Sequence, residues 1–101
     1  MGVSEVVEVQ CTSIRKAPGG KTVKVDLTVV NDLIINVVIS GDFFLYPEEA
    51  IHDIEASIRN RTLNDAIKEL NRFKGSVEFL GTSMDDIINL VIEAYNSCTK
   101  G

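Results

Sequence analysis

Apolar and polar residues alternate through the first forty positions of the chain and then change period. "VVEVQCTSI" (6–14) predicts a first strand, with Val7, Val9 and Cys11 or their neighbours inward. "RKAPGG" (15–20) breaks the alternation with Pro and two Gly and predicts a turn. "KTVKVDLTVV" (21–30) is the cleanest strand. Val23, Val25, Leu27 and Val29 fall on one face, and Lys24, Asp26 and Thr28 on the other. Asn31 and Asp32 both tolerate positive φ and predict a tight turn. "LIINVVIS" (33–40) is rich in β-branched residues and predicts the return strand. Its opposite face carries Ile34 and Val38, which points to cover on both sides. Three strands joined by short turns make an antiparallel meander.

From residue 47 the period becomes helical. Pro47 suits a first helical position, and Glu48 and Glu49 suit a first turn, where the helix dipole favours acids. Ala50, Ile51, Ile54 and Ile58 then form one apolar stripe. After "RNRT" (59–62), Thr62 is placed to cap a second helix, with Asp65 in the box position and Leu63, Ala66, Ile67 and Leu70 as its stripe. "KGSVEFLGT" (74–82) reads as a loop with a short extended piece at Val77–Leu80. Ser83 caps a third helix whose stripe is Ile87, Leu90, Val91, Ala94 and Tyr95. Strands first and helices after predict an α+β fold: a three-stranded antiparallel sheet followed by about three helices packed on it. There is no internal repeat and no low-complexity segment.

A chain of 101 residues is one domain, 1–101, and 45% hydrophobic content suffices for a core. The formal charge is −5. Residues 1–46 carry four Lys/Arg against five Asp/Glu, and 47–101 carry six against ten, so the acidic excess lies in the second half. That balance argues against nucleic acid, whose phosphates call for clustered cations, and against anionic membranes. It favours protein partners. No run of about 18 apolar residues is present, so no membrane span is expected. The N-terminus has no basic segment and no continuous apolar run, unlike a signal peptide. Its Met-Gly start has Val6 where a myristoylation motif wants Ser or Thr. Cys11 and Cys98 lie far apart and read as reduced thiols, with a disulfide between them the lesser alternative. The expected location is the cytoplasm.

The candidate chemistry is sparse. "GGKT" (19–22) resembles part of a phosphate loop, but Arg15 stands where the first glycine belongs and a strand follows instead of a helix. His52, the only histidine, has Glu48 four residues before it, which is too little for a metal site. No Ser, Cys or Thr sits at a motif spacing from that histidine. The carboxylate pairs Glu48–Glu49 and Asp85–Asp86 both open predicted helices, where dipole and capping account for them. Neither a catalytic residue nor a cofactor or metal site emerges.

What remains is "SGDFFLYPEEA" (40–50). Phe43, Phe44 and Tyr46 are half of the six aromatics in the chain. Gly41 suits a strand exit with unusual φ. Asp42 suits an Asx-type turn or help at the following helix start, where Tyr46 is a poor cap. Three large apolar residues in a row, Phe43, Phe44 and Leu45, cannot all face one way. At least one should plug the core and at least one should be exposed, as at an interface.

The stretch from "GGKTVKVDLTVV" through "SGDFFLYPEEA" to "IHDIEASI" resembles the C-terminal accessory domain family of lipoate–protein ligases. More closely it resembles the separately encoded small subunit of bipartite archaeal ligases. The resemblance covers roughly residues 16–58, and "GDFF…PEE" is its most specific piece. It implies a small antiparallel sheet backed by helices, related in shape to iron–sulfur scaffold and sulfur-acceptor proteins. It also implies a heterodimer with a large catalytic subunit that holds lipoate, ATP and magnesium and makes lipoyl-AMP before lipoylating acceptor proteins. The small subunit would enable adenylation without catalytic residues of its own. Lys21, Gly41, Asp42, Phe43, Phe44 and Tyr46 are then the candidate partner-binding residues.

Three other functions compete. An iron–sulfur or sulfur-transfer scaffold wants several thiolates together, and only two cysteines exist. An independent small enzyme is opposed by the empty motif search. A generic interaction module differs from the ligase subunit only in its partner.

Overall fold

The computed structural model describes residues 7–16 and 21–99. The meander is present: β1 (Val9–Lys16), β2 (Thr22–Val30) and β3 (Leu33–Gly41) form an antiparallel sheet with β2 in the centre. Alternation in β2 is faithful, with Val23, Val25, Leu27 and Val29 all buried. Asn31 and Asp32 make the two-residue β2–β3 turn, both at positive φ (50° and 70°), as their residue types predict.

In β1 the inward positions are Cys11, Ser13 and Arg15, while Val9 at its start and Val7 before it are exposed. The strand runs on through Arg15 and Lys16, which the sequence reading assigned to the turn. Arg15 belongs there because it reaches two carboxylates on the third helix, Asp86 at 3.4 Å and Glu93 at 2.7 Å. The rest of that predicted turn, 17–20, lies outside the described residues.

β3 turns a different set of side chains to the core from the one its alternation predicts. A bulge opposite Thr28/Val29 moves the pairing from Thr28↔Asn36 to Val29↔Ile34. One extra residue reverses the parity of the strand. Ile34 therefore joins Val37 and Ile39 in the core, and Val38 is left 47% exposed on the uncovered face. The strand is covered on one side, not two.

Three helices follow: α1 (Ala50–Ile58), α2 (Leu63–Arg72) and α3 (Met84–Thr99). α3 packs on β1 and β2, α1 packs on β3, and α2 joins the two helices. The predicted stripes face this core: Ala50, Ile54 and Ile58, then Ala66 and Leu70, then Ile87, Leu90, Val91 and Ala94. Both expected hydroxyl caps form. Thr62 Oγ1 accepts from the Asp65 N–H and Ser83 Oγ from the Asp86 N–H. The edge of β3 is closed by α1 and the segment after it. Ile39 N–H donates to the Glu55 carboxylate at 2.9 Å, and Ile34 N–H to the Arg61 carbonyl at 2.8 Å.

α1 begins at Ala50, not at Pro47, because residues 47–49 form a turn whose carbonyls accept three residues on, as from Ala50 N–H to Pro47. Glu49 holds the N-cap position without a side-chain capping bond. Cys11 and Cys98 are not separate thiols. They form a disulfide, with α-carbons 5.3 Å apart, that ties β1 to the last turns of α3. The antiparallel path of α3 along β1 brings together two residues 87 positions apart.

Candidate functional site: an apolar patch beside the helical layer

The strand β3 ends at Gly41, and the Asp42 N–H donates to the Thr22 carbonyl at 2.8 Å. The chain then forms β4 (Phe44–Tyr46), which the sequence reading placed in a loop. β4 pairs antiparallel with β5 (Glu78–Leu80), so that Phe44 faces Leu80, Leu45 faces Phe79 and Tyr46 faces Glu78. The extended character of Val77–Leu80 was legible, but its partner strand was not.

This pleat divides the aromatic run. Leu45 and Phe79 turn toward the core and are half-buried against it. Phe43, just before the strand, packs there too, its ring 6.2 Å from that of Phe79 and tilted by 47°. Phe44, Tyr46 and Leu80 turn outward and are 66%, 75% and 71% exposed. Three large apolar residues on one face of a two-stranded sheet form a contiguous patch, which is unusual for a surface that stays wet.

The patch continues into a groove lined also by Pro47, Glu48 and Glu49 at the foot of α1 and by Glu78. The Tyr46–Pro47 peptide bond is cis. Lys21 is exposed, and its side-chain carbons lie over Gly81. A β-carbon built there would stand 3.4 Å from Lys21 Cγ and 3.6 Å from the Phe43 α-carbon.

The structure thus brings all six predicted residues into one region with different roles. Phe44 and Tyr46 form the exposed surface. Phe43 supports it from behind. Gly41 shapes the strand exit, and Lys21 flanks the β5–α3 loop. Asp42 is exposed and contributes its backbone N–H to that exit. It does not cap α1, which begins eight residues later. Sequence reading missed Leu80 and Glu78 as part of the patch, although "VEFL" alternates enough to suggest two faces. It also absorbed Glu48 and Glu49 into a helix start that the structure places further on.

Elsewhere the chemistry is structural. Asp86 pairs with Arg15, and Asp85 pairs with Lys74 at 2.6 Å. His52 is exposed, with Nδ1 4.0 Å from Glu55 Oε1. Among the described residues no group of three or more His, Cys, Asp or Glu is placed to hold a metal ion. Nor is any helix among them long and apolar enough to cross a membrane.

None of the curated proteins compared with the chain matches it. Among solved structures, one chain is similar at a TM-score of 0.65 and 22% identity, covering 86% of this chain and 94% of its own. It comes from the structural analysis of an archaeal lipoylation system, a bi-partite lipoate protein ligase and its E2 lipoyl domain from Thermoplasma acidophilum. At that identity the likeness shows a shared fold. The family described as bacterial lipoate protein ligase C-terminus matches residues 7–91, most of the chain and every element from β1 into α3. The chain belongs to that bacterial lipoate protein ligase C-terminus family.

Proposed function

We propose that this protein is the accessory subunit of a lipoate–protein ligase. It docks on a separate catalytic subunit and enables ATP-dependent formation of lipoyl-AMP. The carrying observation is the outward face of β4–β5, where Phe44, Tyr46 and Leu80 stand exposed on a braced pleat. Family membership supports a ligase context, and the similar archaeal chain comes from a system described as bi-partite. On this reading lipoate, ATP and magnesium reside on the catalytic subunit. Lipoyl-acceptor proteins are met through it, in the cytoplasm.

A subunit without reacting groups accelerates a step only by binding one state of its partner better than another. Docking would favour the conformation of the catalytic subunit in which adenylation proceeds. The patch suits this task because its orientation is fixed. Phe43, Leu45 and Phe79 lock it onto the core from behind.

The test is reconstitution with a ligase catalytic subunit that lacks a C-terminal domain. Lipoate-dependent ATP consumption should rise on adding this protein, and the two should co-elute. Phe44→Ala combined with Tyr46→Ala should weaken association at least about a hundredfold, since central aromatic anchors each account for about 2 kcal/mol or more. Unchanged association and unchanged adenylation in that variant would show that docking uses another surface.

A further inference from the structure

The walls of the groove say more about its occupant than its floor does. Glu48, Glu49 and Glu78 line it together with Phe44, Tyr46 and Leu80. All three glutamates are exposed, and none forms an ion pair among the described residues. Among the described residues, no lysine or arginine lines the groove. The nearby cation, Lys21, has its side-chain carbons over Gly81 and is not among the residues that line the groove.

An apolar partner group seated on the floor would strip water from these three carboxylates. A neutral or acidic partner would leave them desolvated without compensation. A second copy of this chain would bring three glutamates against three, in a protein already at −5. We infer that the groove receives a segment of the catalytic subunit in which an apolar side chain is flanked by lysines or arginines. This rests on the accessory-subunit reading above and adds the chemistry of the docked segment. The carboxylates set partner choice and speed of encounter, and the apolar floor sets residence time.

The experiment compares wild type with a variant carrying Glu48→Lys, Glu49→Lys and Glu78→Lys. Binding to the ligase catalytic subunit is titrated calorimetrically at low and high salt. Glu48 and Glu49 stand at the N-terminus of α1, where lysine opposes the helix dipole, so the variant should unfold slightly below the wild-type midpoint, and circular dichroism checks that it is fully folded at the titration temperature. The expected result is at least about tenfold weaker binding in the variant. Wild-type binding should also weaken as salt rises, a trend the variant should lose. Equal binding by both proteins would overturn the inference and leave the accessory reading standing. If the wild type forms no complex at all, the accessory reading falls. The groove is then judged with two synthetic peptides, one alternating Lys and Leu and one alternating Glu and Leu. Selective shifts of the Tyr46 and Leu80 amide signals by the Lys-Leu peptide would support the basic-apolar assignment, and equal effects would overturn it. A dimer of this chain alone that disappears with Phe44→Ala would also overturn it, by placing a second copy in the groove.

Discussion

Gly41 lies so close to the Thr22 carbonyl that a β-carbon on it would occupy the carbonyl's space. Its φ of +148° is also one that side-chain-bearing residues rarely adopt. Together these fix the direction in which the chain leaves β3, and hence where β4 presents Phe44 and Tyr46. Gly41→Ala is expected to destabilise the fold by at least about 2 kcal/mol, combining backbone strain with a steric clash. Gly75 is the internal comparison. Its φ is +85°, but nothing lies within 4 Å of a β-carbon there, so Gly75→Ala should cost only about 1 kcal/mol. Urea unfolding of the two variants measures the difference. Equal costs would mean that the Thr22 contact constrains nothing.

The bulge in β3 makes an equally sharp contrast between Ile34 and Val38. Ile34 has no exposed surface, whereas Val38 is half open on the uncovered sheet face. Ile34→Ala should destabilise by about 2–4 kcal/mol through lost burial and a residual cavity. Val38→Ala should stay within about 0.5 kcal/mol. Chemical denaturation of both variants checks the register. Similar losses would place both side chains on one face and remove the bulge.

How far the fold was legible depends on the range of the determining interaction. The β2 alternation, the Asn31–Asp32 turn and the Thr62 and Ser83 caps are set within a few residues, and the sequence announces each of them. The bulge is not announced, because β3 is apolar on both faces and either parity looks plausible. β4 is invisible for another reason. It is three residues long, and its partner, β5, lies more than thirty residues away, beyond two helices. The patch inherits that limit. Phe44 and Tyr46 drew attention as an aromatic excess, but Leu80 and Glu78 enter only through pairing. The cysteine pair depends on the packing of α3 against β1, which periodicity does not encode.

The Cys11–Cys98 disulfide closes almost the whole chain into one loop, so its main effect should be on the unfolded ensemble. Chain-entropy reasoning for a loop of this size gives a stabilisation of about 4.6 kcal/mol, with about 2–4 typical of measured cases. Cys98→Ser should therefore lower the unfolding free energy by about 2–4 kcal/mol. Adding a reductant should bring the wild type down to the variant's midpoint and leave the variant unchanged. A wild-type midpoint insensitive to reductant would show that the two thiols do not join in solution.

Tyr95 links α3 to the β2–β3 turn, its hydroxyl donating to the Asp32 backbone carbonyl at 3.1 Å. Burial raises the phenol above its ordinary value of 10.0, and the negative charge of Asp32 pushes in the same direction. A group whose folded-state pKa is raised holds its proton more tightly when folded. Its contribution is complete below the unfolded value and is lost as pH rises through the folded one. The unfolding midpoint of the wild type should therefore fall, relative to Tyr95→Phe, as pH is taken from about 9 to above about 11. Groups common to both proteins cancel in that difference. Thermal melts across this range measure it, with the wild-type advantage from the Asp32 hydrogen bond present at neutral pH and shrinking in alkali. A gap that stays constant through the alkaline range would mean that the phenol titrates alike in the folded and unfolded chains, and that the contact with Asp32 couples to no proton.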